Sequence, residues 1–149
     1  MRVNGRWRTT ERIIVTGLSA QTTYYYRVRA YNGCATSPNS NVKSVQTASC
    51  TPAAPNAQNA TNVTNHSFTA NWTAVNGPNG ASGYRLDVST SNSFTTYVPG
   101  YQDLNVGNTT SYTVFGLNAY TTYYYRVRAY NSCGTSPNSN VKSVSTYLF

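Results

Sequence analysis

The chain has 149 residues, 9% of them charged, and a formal net charge of +8 because Glu11, Asp87 and Asp103 are its only acids. So few charged side chains argue against amphipathic helices, which carry Glu and Lys on their solvent-facing side, and favour short strands joined by polar turns. No apolar run approaches the roughly 20 residues of a membrane-spanning helix, so no membrane insertion is expected. The basic charge is compatible with an anionic polymer as partner, but a surface short of acids has the same charge, and nucleic acid is not the partner we expect.

Residues 1–12 form a lead-in that matches nothing else in the chain, whereas the segment after it is one copy of an internal repeat. Thr22–Asn32 recurs as Thr121–Asn131, 99 positions later. The match runs over Val15–Thr47 and Val114–Thr146. It is broken only at Thr16, Ser19, Gln21, Gly33, Ala35 and Gln46. Such a match indicates a duplicated unit, and a period near 100 is the size of a small β-sandwich rather than of a solenoid repeat.

The two copies differ in length, and this difference predicts the domain organisation. Residues 50–146 hold a complete unit, residues 13–47 hold only the C-terminal half of one, and residues 48–55 link them. Pro52 and Pro55 precede the first strand of the complete unit, where they would blunt a sheet edge because proline cannot donate to a ladder.

Alternation of apolar and polar residues predicts half-buried strands in the complete unit. In chain order these strands are predicted at about 56–65, 67–73, 83–89, 94–98, 111–114, 122–131 and 140–146. Seven short strands separated by turn signals are typical of an all-β sandwich. The predicted inward side chains include Phe68, Ala70, Trp72, Tyr84, Leu86, Val88, Leu117, Tyr123, Tyr125, Val127 and Ala129. Asp87 is predicted to face outward beside Arg126 or Arg128 on the neighbouring strand, as a cross-strand ion pair.

The pattern of Trp72 on the second strand, Tyr84 opening the third, and Gly116-Leu117 before the tyrosine-rich strand 122–131 resembles a fibronectin type III domain. The resemblance implies an immunoglobulin-like sandwich, present as one complete copy preceded by strands E, F and G of another. It further implies a structural core that contains Trp72, Tyr84, Leu117, Tyr123 and Val127. Tyr123 would be the tyrosine-corner residue, whose hydroxyl returns to the backbone near Leu117, and Tyr24 its equivalent in the half copy.

The cysteines can be interpreted with this fold. Strand A begins at the same pole as the loop between strands F and G, so Cys50 and Cys133 are expected to form a disulfide. Cys34 is the repeat equivalent of Cys133, and its partner would lie 99 positions before Cys50, ahead of Met1. The alternative is three free thiols, because spacing alone never proves pairing. A disulfide would imply an oxidising compartment and hence export.

No constellation of side chains predicts catalysis, a cofactor or a metal. The three acids do not form an acid/base pair, and His66 is predicted as an exposed turn residue with no triad partner. A zinc site is not expected, since no two of the cysteines and His66 have ligand spacing. The candidate ligand face is the outward stripe of Tyr124, Arg126, Arg128 and Tyr130. We favour the other interpretation, in which the side chains of this strand face contact one another and bind no ligand.

The predicted function is therefore that of a non-catalytic structural or adhesive spacer in a larger secreted or cell-surface protein. The alternative is an accessory polysaccharide-binding module of a secreted hydrolase. The Tyr-, Asn-, Thr- and Ser-rich composition resembles repeats of large bacterial surface proteins. Met1–Thr10 lacks the apolar core of a signal peptide, so an export signal would have been removed or would lie in a missing N-terminal part.

The half copy adds a prediction of its own, because its inward side chains need a cover. By repeat equivalence these are Tyr24, Tyr26, Val28 and Ala30. Open sheet edges and bare apolar faces recruit partners. The expected cover is a second copy related by a two-fold axis, a strand donated by a neighbouring chain, or an assembly in which this sequence is one stretch of a longer filament subunit. The remaining alternative is a truncated fragment whose face is bare.

Overall fold

The computed structural model describes residues 12–149, and the chain divides into two compact units after Ser49. Within residues 12–149 all of the regular secondary structure is β-strand. This part of the chain contains no helix long and apolar enough to cross a membrane. Residues 1–11, which include most of the predicted lead-in, lie outside the described residues.

The first unit is built on one antiparallel pair, β1 (Thr23–Tyr26) and β2 (Lys43–Gln46). Tyr24 lies opposite Val45 in this pair. An isolated bridge between Tyr31 and Thr36 marks the turn that joins the two strands. The pair corresponds to the predicted strands F and G, whereas residues 12–15, the repeat equivalent of the predicted strand 111–114, do not form the expected strand E.

The second unit contains eight strands in two sheets. They are β3 (Ala57–Thr61), β4 (Phe68–Trp72), β5 (Gly83–Ser89), β6 (Leu104–Gly107), β7 (Ser111–Val114), β8 (Thr122–Asn131), β9 (Gly134–Thr135) and β10 (Lys142–Ser145). One sheet has the order β3-β4-β7, and the other has the order β10-β8-β5-β6, with β9 also paired to β8. All pairs are antiparallel. The predicted all-β sandwich is therefore confirmed for this unit.

The core lies between these two sheets and follows the period-two alternation of the strands. In β4 the inward side chains of Phe68, Ala70 and Trp72 are buried, and β8 presents four buried residues to them. The rings of Phe68 and Tyr125 stack with their centroids 5.7 Å apart. Complete burial of one such large apolar side chain stabilises the folded state by about 1.5–3 kcal/mol.

Buried tyrosine hydroxyls tie the core to the backbone around it. The hydroxyl of Tyr123 accepts a hydrogen bond from the amide of Asn118 at 2.9 Å, next to Leu117, and that of Tyr84 accepts one from Val75 at 2.8 Å. In the first unit the hydroxyl of Tyr24 accepts from the amide of Ser19 at 2.9 Å. The corner expected from the repeat thus has the same form in both units.

A second repeated device orders the chain after the long hairpin strand. In the sequence Ser-Pro-Asn-Ser the two serine hydroxyls accept from strand amides, Ser136 from Ala129 at 3.0 Å and Ser139 from Val127 at 2.9 Å. In the first unit the hydroxyls of Ser37 and Ser40 accept from the backbone amides of Ala30 and Val28, each at 3.0 Å. Gly116 and its equivalent Gly17 both have φ of +74°, a left-handed conformation that glycine adopts without strain. The near-identical sequences therefore give the same local structure twice.

In the second unit one predicted strand is wrong, and two observed strands, β6 and β9, were not predicted. Residues 94–98 form only an isolated bridge, between Tyr97 and Ser89, because Phe94 has φ of +54° and the extended conformation is broken there. The hydroxyl of Ser89 also donates to the carbonyl of Thr96 and holds the loop in a turn. The edge strand is instead β6, a four-residue strand in which Leu104 and Val106 alternate with Asn105 and Gly107.

Tyr125 generates a prediction for alkaline conditions. Its hydroxyl donates to the carbonyl of Gln58, and burial raises its pKa above the ordinary 10.0, while the hydrogen bond from the backbone of Asn71 opposes the rise. A phenol with a raised folded pKa contributes stability in full below the unfolded pKa, and that contribution is lost as pH rises further. We expect the free energy of unfolding of the wild type to fall above about pH 10, by up to about 1.4 kcal/mol per pH unit from this group.

Urea unfolding followed between neutral pH and about pH 11 checks this expectation against the Tyr125→Phe variant. The variant should be about 1 kcal/mol less stable at neutral pH, because it loses the bond to Gln58. Its stability should then fall less steeply with pH than that of the wild type. Equal slopes for the two proteins would contradict the role assigned to this hydroxyl.

Candidate functional site

The candidate ligand face lies on the outer side of β8, where alternate residues point away from the core. Tyr124, Arg126, Arg128 and Tyr130 are all half-buried there. β5 pairs with β8 along this face, with Asp87 opposite Arg126 and Arg85 opposite Arg128. The two arginines of the stripe therefore lie opposite charged residues on the adjacent strand, whereas Tyr124 and Tyr130 lie opposite Ser89 and Gly83.

Asp87 is the centre of this face, where it points outward beside the arginines as predicted, but it is only 2% exposed. Its Oδ2 lies 2.9 Å from Nε of Arg126 and 3.7 Å from Nη2 of Arg128, and its Oδ1 accepts from the backbone amide of Asp103 at 2.7 Å. The expected cross-strand pairing is present. The burial follows because the loop before β6 folds over the carboxylate and donates a backbone amide to it.

A second carboxylate completes the ion network at its solvent edge. Asp103 lies 2.7 Å from Nη2 of Arg128 and 2.9 Å from Nη1 of Arg85, and its side chain is 48% exposed. Two acids thus pair with three arginines on this face, and the guanidinium groups are held by ion pairs within the unit.

The aromatic members of the face also have partners within the unit. The hydroxyl of Tyr130 donates to Oδ1 of Asn105 at 3.1 Å, and the guanidinium of Arg85 lies 5.3 Å from the centroid of its ring. The ring covers Gly83, where a Cβ atom would come within 2.4 Å of the tyrosine hydroxyl. Any larger residue at position 83 would therefore push this ring off the sheet.

Phe94 and Tyr97 are part of this face although sequence reasoning assigned them to a strand. The guanidinium of Arg126 lies 4.1 Å from the centroid of the Phe94 ring and donates to the Tyr97 hydroxyl at 3.3 Å. Cation–π contacts of this kind are worth about 0.5–1 kcal/mol at exposed sites and more when desolvated. The sequence signal that could have found these contacts is the presence of two aromatic residues in a loop that is otherwise rich in serine and threonine. A loop fully exposed to solvent has no need of aromatic side chains.

The other chemically reactive residues are dispersed. His66 is an exposed turn residue, and its Nδ1 donates to the carbonyl of Leu117 at 2.8 Å. Within residues 12–149 no three side chains of the ligating types His, Cys, Asp and Glu come close enough together to hold a metal ion. Cys34 is exposed with a free thiol in the first unit.

The disulfide joins Cys50, just before β3, to Cys133 in the loop after β8, with their Cα atoms 5.8 Å apart. The side chain of Asn131 supports this pole from both sides. Its Nδ2 donates to the carbonyl of Cys50 at 2.8 Å, and its Oδ1 accepts from the amide of Cys133 at 2.9 Å. The five side chains that the family resemblance assigned to the structural core are all buried: Trp72, Tyr84, Leu117, Tyr123 and Val127.

Comparison with known families matches this architecture. The sequence profile of the fibronectin type III domain matches residues 53–145, which is more than half of the chain. The chain belongs to the fibronectin type III domain family.

Solved structures of two other proteins are similar in fold to this fibronectin type III chain. The crystal structure of chicken CNTN1 FN1-FN3 domains is similar with a TM-score of 0.55 and 22% identity, over 87% of this chain and 44% of that one. Domains A168-A170 from titin give a TM-score of 0.55 and 23% identity, over 88% and 43%. At such identities the likeness shows the fold alone.

A curated relative is the Kelch domain-containing protein SSO1033 of Saccharolobus solfataricus, which is 58% identical over 38 residues. The match covers 26% of this chain and 5% of that protein. The fibronectin type III chain therefore spans a small fraction of this relative's length.

The buried carboxylate generates a stability prediction. Asp87→Ala leaves Arg126 without its ion-pair partner in a half-buried position, so we expect a loss of about 3 kcal/mol in the free energy of unfolding. Asp103→Ala is the matched control, because its carboxylate contacts two arginines from an exposed position and exposed pairs contribute about 0–1 kcal/mol. Urea denaturation of both variants measures the difference. Equal losses would mean that the burial of Asp87 does not matter.

The disulfide generates a second prediction. The bond spans 83 positions, and closing a loop of this size in the unfolded chain stabilises by about 4 kcal/mol in the chain-entropy model. Cys133→Ser should therefore lower the free energy of unfolding of the second unit by about that amount. Cys34→Ser should leave it unchanged. Mass spectrometry of a non-reduced digest should find Cys50 linked to Cys133, and a Cys34–Cys50 linkage would contradict the strand arrangement.

Proposed function

We propose that this chain is a non-catalytic spacer or adhesive module of a larger secreted or cell-surface protein. The observation that carries the proposal is the closed ion network on the outer face of β8. Asp87 and Asp103, the two acids of the described chain, are both committed to arginines of the same face. A carboxylate used for proton transfer must reach a substrate, and Asp87 is covered by protein.

The disulfide supports an extracellular site of action. Disulfides persist in oxidising compartments and are rare in the cytosol. A bond that closes most of the second unit, between Cys50 and Cys133, is consistent with a protein that folds after export. The Asn-, Thr- and Ser-rich composition supports, within this proposal, a large bacterial surface protein as the parent.

The partners in this proposal are other protein domains or further copies of the chain. The polysaccharide-binding alternative would use the stripe on β8, and there the two arginines already bind carboxylates. A glycan would have to compete with these ion pairs for the guanidinium donors. Of the two tyrosines in the stripe, Tyr124 is the one whose ring makes no stacking or cation–π contact in the described chain.

Two measurements test the proposal. The first is surface proteolysis of intact source cells, followed by detection with an antibody against the chain. We expect the antigen in the medium or on the cell surface, where external protease removes it, with Cys50 and Cys133 protected from alkylation by a membrane-impermeant maleimide. Antigen that appears only after lysis would contradict the extracellular assignment.

The second measurement is a broad glycan array with the purified chain and its Tyr124→Ala variant. The spacer proposal expects no retention of either protein. Retention of the wild type that is lost in the variant would overturn it in favour of the polysaccharide-binding module. Phe115→Ala, an exposed aromatic at the edge of the other sheet, is the matched control for non-specific aromatic contacts.

A further inference from the structure

The inner face of the first unit is exposed, although the same residues are buried in the second unit. Tyr26 and Val28 are 55% and 64% exposed, whereas their equivalents Tyr125 and Val127 are 0% exposed. Val15 is 67% exposed and Val114 is 0% exposed. The apolar residues that form half of a core in one unit therefore form a surface in the other. Contiguous apolar surface of this kind marks an interaction site.

This face is already organised as it is in the complete domain. Ser37 and Ser40 hold the amides of Ala30 and Val28, and the Tyr24 hydroxyl closes its corner on Ser19. Because the hairpin has the backbone contacts of its buried counterpart, its geometry is prepared for the same cover.

The outer face of the same hairpin lacks the carboxylates that its counterpart has. Arg126 and Arg128 pair with Asp87 and Asp103, and both acids come from the segment that precedes the long hairpin. Their equivalents Arg27 and Arg29 form no ion pair within the described chain. Residues 12–49 contain no acid at all. The charge pattern therefore calls for a partner that carries two carboxylates at the positions of Asp87 and Asp103.

The cysteine loop also matches its bonded counterpart. Oδ1 of Asn32 accepts from the amide of Cys34 at 2.9 Å, as Asn131 does for Cys133 at 2.9 Å. In the second unit this arrangement faces Cys50 and forms the disulfide. In the first unit the thiol of Cys34 is exposed and free.

One further polar group has the same asymmetry. The side-chain amide of Asn140 clamps the backbone of β3, where Oδ1 accepts from the amide of Ala57 at 2.8 Å and Nδ2 donates to its carbonyl at 2.9 Å. Its equivalent Asn41 is exposed in the first unit. Because both hydrogen bonds go to backbone atoms, an asparagine at this position can bind the backbone of an added strand whatever its side chains are.

We propose that residues 12–49 bind a polypeptide segment of the same type as residues 50–113, which completes a second sandwich and forms a disulfide with Cys34. The segment would supply an inward Phe-x-Ala-x-Trp strand, two carboxylates for Arg27 and Arg29, and a cysteine just before its first strand. The disulfide forms by two thiol–disulfide exchanges with a small-molecule disulfide as oxidant. Cys34 displaces one thiol from it, and the cysteine of the segment then displaces the second.

A second copy of the hairpin is a poorer occupant of this face. Two hairpins packed inner face to inner face would leave all four arginines on the outer faces without a carboxylate partner, because residues 12–49 contain no Asp or Glu. The complete domain of another copy is also excluded from this role, since its own residues 50–113 are held by the Cys50–Cys133 bond.

The test uses the full chain and, as probe, an isotopically labelled polypeptide of residues 50–113 in a redox buffer of reduced and oxidised glutathione. We expect a 1:1 complex, with a digest that links labelled Cys50 to Cys34 of the chain. Val28→Asp in the chain should abolish the complex, and since Val28 is 64% exposed the substitution leaves the free chain folded. Tyr25→Asp, on the outer side at 74% exposed, is the matched control and should retain binding.

Two variants of the probe test the charges separately from the apolar face. Asp87→Asn and Asp103→Asn together should weaken binding to the Cys34→Ser chain by about tenfold or more, because both arginines lose their carboxylates. Failure of the probe to bind, or binding that Val28→Asp leaves intact, would overturn the proposal. Labelled Cys50 linked to Cys133 would also overturn it, as would dimers of the chain alone that Val28→Asp dissociates, since these would make a second copy the occupant.

Discussion

Burial of the inner side of β8 against the sheet of β3, β4 and β7 is the contact on which the second unit depends. The strand is 10 residues long, and its period-two alternation forces every other side chain into the core while the rest form the ion-pair face. A shift of one residue in its pairing would bury Arg126 and expose Val127. The core and the outer face are therefore not independent features, because one register determines both.

The comparison of the two units separates local from tertiary determinants. Thirty-odd nearly identical residues adopt the same corner, the same serine contacts and the same hairpin in both, so these features need no cover. Burial of the tyrosines and pairing of the arginines occur only where the preceding segment packs on the hairpin. The conformation of the hairpin is thus determined by its own sequence. The burial of its inward side chains is determined mostly by the segment that precedes it and packs on it.

The strands β5, β7 and β8 have the bounds predicted from the sequence, whereas the four-residue strand β6 was not predicted although its side chains alternate. The pairing of Cys50 with Cys133 followed from the fold once the family resemblance placed both at one pole. The loop around Phe94 could not be predicted, because its aromatic residues pack on the outer face through a contact between distant parts of the chain. The burial of Asp87 depends on that same loop, and single-residue patterns carry no information about which loop covers an outward side chain.

The position of the disulfide decides how the second unit responds to tension. A pulling force that enters at Cys50 passes directly to Cys133 through the sulfur–sulfur bond and bypasses the 83 positions between them. The load is then carried only by the chain after Cys133, where β10 is held to β8 by the register of Lys142–Ser145. Under stretch this domain would release a short tail and then stop, so it would act as a tether of nearly fixed length that refolds readily, whereas a sandwich without the bond would unravel throughout.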